Sequence, residues 1–250
     1  SSDSIDLDDW MKMYCEARYG GYPDAMEEAW KLFRKTAYSS LYSYPRFTWQ
    51  TVIPDQRRIS KIDLSDDYLQ AIRLYASCAD ELKSSELYRN DLIEFVSYYV
   101  AAKAENFYKQ ALKDDLENRV LAAQRNLQQT VDLLMDVDRL LASHPLYRLE
   151  EWVELARNSG TTLQEKDAYE ANAKRLITSW GGIQEDYAAR FWSGLIKDYY
   201  IPRIQLYFTK DRDKIREWEE QWITSPWSNS TTPFDDPVKA ALNLIEKTNK

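Results

Sequence analysis

The sequence predicts an all-α domain of about nine or ten helices. Three observations carry that expectation. Apolar residues recur at helical spacing through most of the chain, and helix starts and stops punctuate it at regular intervals. Only 6 Gly and 8 Pro occur in 250 residues, too few for a sandwich or barrel built on many tight turns. No composition shift, linker or fixed-period repeat divides the chain, so residues 1–250 read as one domain.

The elements follow in order. Asp6 to Tyr19 forms a first helix with Trp10, Met13, Tyr14 and Ala17 on one stripe, stopped by Gly20-Gly21. Pro23-Asp24 opens the second helix, with Ala25, Met26, Ala29, Trp30, Phe33 and Ala37 inward, and it ends before Pro45. Residues 44–63 read as one long ordered loop, a length that is often functional. Its Tyr44, Arg46, Phe47 and Trp49 cluster either for core packing or for contact with a ligand or domain. Ser65 then caps a helix bearing Leu69, Ile72 and Tyr75. A long helix from Ser84–Glu86 to Leu112 and another from about Leu116 to Leu141 read as an antiparallel hairpin joined at Lys113–Asp115. Leu149–Asn158 is a short helix ending at Gly160, and Thr162 with Glu165 is a capping box for a helix toward Trp180. Asp186 opens a helix disturbed at Pro202, and 212–223 and 236–248 are the last two.

The net charge of −8, with Lys and Arg scattered, argues against a nucleic-acid partner. No run approaches the roughly 18 apolar residues of a membrane span, and the polar, acidic start SSDSIDLDDW shows no signal peptide. Cys15 and Cys78 lack metal or redox spacing; they read as buried small hydrophobes, with a disulfide as the alternative. A single histidine, His144, excludes a histidine-rich metal site and reads as a helix-end cap. No phosphate-binding, nucleophile-elbow or metalloprotease motif is present. No cofactor, metal site or catalytic residue is assigned. What exceeds the needs of a core is the aromatic content, 9 Trp and 18 Tyr, residue types suited to half-wet interfaces and sugar clefts.

Three blocks carry a resemblance. They are WMKMYCEARYGGYPDAMEEAWKLFRKTAY, LYRNDLIEFVSYYVAAKAENFY and YEANAKRLITSWGGIQEDYAARFWSGLIKDYYIPR. Together, from Trp10 to Arg203, they resemble the C-terminal all-helical domain of α-N-acetylglucosaminidases, glycoside hydrolase family 89. The resemblance implies an upstream (β/α) barrel as partner in the same polypeptide, holding both catalytic glutamates of a retaining mechanism. It implies a terminal α-linked GlcNAc glycan as ligand, and a helical domain that packs on the barrel and closes one pocket wall. Trp180, ending its helix before Gly181-Gly182, is then either a sugar-contacting rim residue or a structural helix end. Arg46 and Tyr44 are the further substrate-binding candidates, although Tyr44-Pro45-Arg46-Phe47 departs from the Arg-Pro-x-Leu-like element of the family. Arg18, Tyr19, Trp49, Tyr200 and Arg203 are assigned to the domain interface. Secreted, periplasmic and lysosomal locations all suit the family. Two other classes stay open: an independent helical interaction module and a stand-alone sugar-binding domain.

Overall fold

The computed structural model describes residues 4–39, 47–51, 65–180, 186–209, 211–227 and 230–248. Among them the regular structure is eleven α-helices and no strand, ten of the helices being seven residues or longer. The residues divide into two compact units. The first takes Ser1–Tyr44, Lys61–Val100 and Asp235–Lys250, and the second takes Pro45–Ser60 and Ala101–Phe234. The chain thus leaves the first unit twice and returns to complete it.

The first unit contains α1 (Leu7–Tyr19), α2 (Asp24–Lys35), α3 (Asp66–Ser77), the one-turn α4 (Ala79–Leu82), the first half of α5 (Glu86–Leu116) and α11 (Pro237–Lys247). The expected signals set its helix ends. Asp6 accepts from the amides of Asp8 and Asp9, and Gly20 closes α1 at φ 85°. Ser65 caps Tyr68, and Asp236 caps Lys239 ahead of Pro237. On α1 the buried stripe is Met11, Cys15 and Tyr19, while Trp10, Met13 and Ala17 face outward. The helix carries two apolar stripes, and the inner one is the stripe whose Tyr19 hydroxyl finds a buried partner.

That core is aromatic. Phe33 stacks on Phe95 at 4.5 Å and Tyr75 on Tyr88 at 4.9 Å, while Trp30 meets Tyr14 and Phe33 edge-on. Buried phenols need partners, and two satisfy each other: Tyr88 donates to the carbonyl of Tyr75 at 2.7 Å, and Tyr75 donates back to that of Tyr88 at 3.3 Å. Asp91 accepts from Arg18 Nε at 2.7 Å, Arg18 Nη2 at 2.6 Å and Tyr19 Oη at 2.6 Å. Cys15 and Cys78 are buried free thiols, pushed up to about 12 and about 11 by burial, so both stay protonated.

The second unit holds the rest of α5, α6 (Val120–Leu141), α7 (Leu149–Asn158), α8 (Leu163–Leu176), α9 (Ile201–Tyr207) and α10 (Ile215–Thr224). The α5–α6 hairpin turns at Glu117–Arg119 rather than at Lys113–Asp115, because Asn118 takes the left-handed conformation, φ 58°, that Asn tolerates. Asn126 donates to Asp114 at 2.8 Å and Thr130 to the carbonyl of Ala104 at 3.5 Å, the order an antiparallel pair requires. His144 is buried, and its Nδ1 accepts from the Leu146 amide at 3.1 Å. The capping box of α8 is present: Thr162 accepts from the Glu165 amide at 3.1 Å, and Glu165 accepts from the amides of Thr161 and Thr162. The fully buried Asp138 accepts from the amides of Gly194 at 2.8 Å and Lys197 at 3.1 Å, capping the segment that leads into α9.

Two tests follow from this packing. Asp91→Ala strips three donor atoms on two side chains, Arg18 and Tyr19, of their acceptor and is expected to cost about 2–4 kcal/mol in urea unfolding, against about 1 kcal/mol for Tyr19→Phe; equal costs would mean the carboxylate is dispensable. Hydrogen bonds from Thr161 and Thr162 lower the Glu165 carboxyl from 4.5 to about 2. The folded pKa is the depressed one, so the stabilisation by this cap is complete above pH 4.5 and is lost as pH falls toward about 2. NMR shifts of the Thr161 and Thr162 amides should titrate with a midpoint near the lower value, and Glu165→Gln should flatten both curves.

Candidate functional site

The chain from Leu195 to Tyr207 is helical, but its middle is not α. Residues Ile196–Tyr200 form a π-turn in which the Ile201 amide donates to the Ile196 carbonyl, five residues back. Pro202 is the sequence cause: its ring cannot tolerate the carbonyl four residues earlier in a regular α-helix, and it donates no N–H. Widening the turn by one residue around Asp198 makes the room. The same widening turns Tyr199, Tyr200 and Arg203 together into the unit, where each is at most 1% exposed.

Arg203 is the hub. Its Nη1 donates to Asp186 Oδ1 at 3.0 Å, to Glu219 Oε1 at 2.9 Å and to the Tyr199 oxygen at 3.2 Å. Its Nη2 donates to the Gln50 carbonyl at 2.7 Å, and the guanidinium carbon lies 4.7 Å from the Tyr199 ring centroid. Tyr199 donates to Glu219 at 2.9 Å, and Tyr200 to the Arg190 carbonyl at 3.0 Å. Burial opposes the positive charge, but Tyr199, Asp186 and Glu219 outweigh it and hold Arg203 protonated well above the usual arginine value.

Gln50 belongs to a 3-10 turn, Thr48–Gln50, fastened from two sides. Glu105, buried on α5, accepts from the Thr48 amide at 2.9 Å, from the Trp49 amide at 3.4 Å and from the Thr48 hydroxyl. Trp49 is fully buried against Phe47 at 5.0 Å and Tyr200 at 5.5 Å. Of the cluster that the sequence sets in this loop, Phe47 and Trp49 are therefore core. Tyr44 and Arg46 lie outside the described residues, as do Gly181 and Gly182.

Helix α8 stops at Leu176, four residues before Trp180. Trp180 itself is left-handed, φ 53°, a conformation rare for a bulky side chain, and its amide donates to the Arg175 carbonyl at 2.8 Å. Its indole is half-buried and meets the exposed ring of Tyr187 edge-on at 5.5 Å. Asp186, also left-handed at φ 57°, donates its amide to the Thr178 carbonyl at 3.0 Å. Trp180 and Asp186 are thus each tied back to the end of α8, and the helix expected to begin at Asp186 is a turn. The helix that bears Pro202 begins instead at Leu195.

Of the five residues assigned to a domain interface, Tyr19, Trp49, Tyr200 and Arg203 do not reach the surface. The resemblance assigns them to that interface; inside the units most of their polar atoms find partners. Arg18 keeps about a third of its side chain exposed while holding Asp91. Glu105, Asp186 and Glu219 escaped sequence reasoning because no spacing separates them from the other carboxylates; Tyr187 escaped it because nothing in residue order pairs it with Trp180. Among the described residues no group of His, Cys, Asp and Glu side chains is placed to hold a metal, and no helix is long and apolar enough to cross a membrane. The buried carboxylates are engaged by backbone amides, hydroxyls or guanidinium groups. Among the described residues the Trp180–Tyr187 pair offers a partly exposed aromatic surface, an arrangement that binds an apolar face and performs no acid–base step, and a separate open pocket is lined by Trp152, Leu155, Tyr169 and Leu176.

Strain at position 180 is measurable. Trp180→Gly and Trp180→Ala remove the same indole, but only Gly relieves the left-handed backbone. Trp180→Gly should therefore be the more stable by about 1 kcal/mol in denaturant unfolding, and Ala matching or exceeding Gly would deny the conformation.

Known proteins give this geometry a family. The family model described as the alpha-N-acetylglucosaminidase (NAGLU) C-terminal domain matches residues 10–247. The Homo sapiens alpha-N-acetylglucosaminidase is 28% identical over 228 residues, which is 85% of this chain and 30% of the human protein. A family 89 glycoside hydrolase from Clostridium perfringens, solved in complex with PUGNAc, matches with a TM-score of 0.84 at 21% identity, covering 98% of this chain and 32% of that one. A variant from the same organism, solved with its substrate GlcNAc-alpha-1,4-galactose, matches at 0.85 and 22% with the same coverage. Identity this low speaks for the fold alone, and the chain spans only 30% of the human relative's length. The match over residues 10–247 is decisive, and the chain belongs to the C-terminal domain family of alpha-N-acetylglucosaminidases.

Proposed function

We propose that this chain is the helical domain of a retaining exo-α-N-acetylglucosaminidase, packing on an upstream (β/α) barrel of the same polypeptide and closing one wall of its substrate pocket. In this reading the barrel supplies both catalytic glutamates. The helical domain orients a terminal α-linked GlcNAc and excludes water. The observation that carries the reading is Trp180: a half-buried indole on strained backbone, paired with an exposed tyrosine, beside a Gly-Gly step. Strain of this kind persists where the surroundings enforce it and concentrates at ligand sites. An indole face matches the apolar face of a pyranose, so Trp180 stacks on the sugar or its leaving group.

Arg46 and Tyr44 join Trp180 as substrate contacts in this reading; in sequence they stand just ahead of the fastened Thr48–Gln50 turn. Arg18 has the exposure to touch the barrel directly. Tyr19, Trp49, Tyr200 and Arg203 serve the barrel-facing surface from beneath, by fixing the backbone on which it rests. The engagement of the buried carboxylates supports the same division of labour, because a retaining mechanism needs two carboxyls about 5 Å apart and free to face the scissile bond.

The test is hydrolysis of an aryl α-N-acetylglucosaminide. The 250-residue chain alone should be silent, and a longer polypeptide that includes the barrel should turn over. In that longer polypeptide Trp180→Ala should raise KM about tenfold with kcat nearly unchanged, the signature of lost ground-state binding. Turnover by the chain alone would defeat the division of labour, and an unmoved KM would remove Trp180 from the pocket.

A further inference from the structure

We infer that Arg203 is a positioning residue for the substrate pocket, acting through Asp186 on Trp180. The inference rests on the reading of Trp180 as a pocket-wall residue and adds the device that holds it there.

One guanidinium ties together two segments that are distant in sequence and that each border a proposed sugar contact. Through Nη1 it holds the Asp186 carboxylate at 3.0 Å, and through Nη2 the Gln50 carbonyl at 2.7 Å. Asp186 neighbours Tyr187, whose ring packs on Trp180, and its own amide is bonded to Thr178, two residues before Trp180. Gln50 closes the turn that follows Tyr44 and Arg46. Both left-handed residues of this region, Trp180 and Asp186, flank the same short stretch. Backbone in that conformation at non-glycine positions returns to ordinary values unless something holds it. For Asp186 the holder is a buried cation with little freedom of its own, because Glu219, Tyr199 and the π-turn fix the guanidinium plane. Arg203 touches no substrate in this arrangement. It acts by setting where the Trp180–Tyr187 pair stands relative to the Thr48–Gln50 turn, and displacements of about 1 Å at such positions cost up to about a hundredfold in rate.

The test is a double-mutant cycle in the polypeptide that includes the barrel, with KM and kcat read separately for Asp186→Ala, Trp180→Ala and the pair. Asp186→Ala is expected to raise KM about tenfold, as Trp180→Ala does, and to add nothing in the Trp180→Ala background, since its effect passes through the indole. Asp186→Asn keeps an acceptor oxygen for Arg203 but loses the charge and should raise KM less than alanine does; should the alanine variant fail to fold, the cycle is run with Asn, whose smaller rise should appear only when Trp180 is present. Multiplying effects, or an Asp186→Ala enzyme with wild-type KM beside an impaired Trp180→Ala, would overturn the positioning role while leaving Trp180 in the pocket. A wild-type KM for Trp180→Ala would remove the pocket reading itself, and the inference with it.

Discussion

A guanidinium taken out of water must recover its hydration from the protein, and the second unit is arranged around that requirement. Arg203 is 1% exposed, and leaving such a charge unpaired costs several kcal/mol. The unit meets the cost with groups drawn from four places: Asp186 from a turn, Glu219 from α10, Tyr199 from its own π-turn and the Gln50 carbonyl from a loop. None of these segments is near another in sequence except the π-turn. The charge therefore selects one arrangement of them, since any other leaves it stranded. Pro202 belongs to the same constraint, because the widened turn it imposes aims Tyr199 and Arg203 at the same acceptor.

The first unit faces a similar problem in the buried hydroxyls of its uncharged phenols. Its tyrosines bury large rings, and their hydroxyls are absorbed by the Tyr75 and Tyr88 carbonyls and by Asp91. An aromatic count that suggests wet surfaces in a bare sequence is thus mostly a core with internal acceptors. Trp180 with Tyr187, like Trp10 with Tyr14, keeps part of the exposure that the composition suggests.

The fold class was legible because helix ends are written in local chemistry. Asp6, Gly20, Ser65, the Thr162–Glu165 box and Asp236-Pro237 all sit where side-chain rules place them. Two kinds of feature were not legible. The face that α1 buries depended on where Asp91 would be, seventy residues away in the chain and invisible to periodicity. The site's carboxylates depended on tertiary return: Asp186 and Glu219 look like any surface acid until Arg203 is placed between them. Trp180 was visible as a helix end, yet the helix stops at Leu176, and the left-handed backbone at Trp180 has no signature in residue order.

The division of the chain carries a consequence in time. The first unit is assembled from Ser1–Tyr44, Lys61–Val100 and Asp235–Lys250, with the whole second unit threaded between its last two pieces. A ribosome delivers α1 to α3 before the second unit, but the Val238, Ala241, Leu244 and Ile245 face of α11 only after it. Until then the first unit is short of one apolar wall, whereas the second already has all its parts. Synthesis therefore runs opposite to sequence order for completion: the unit begun first is finished last. Its unfinished aromatic core is what chaperones would meet on a stalled or shortened chain.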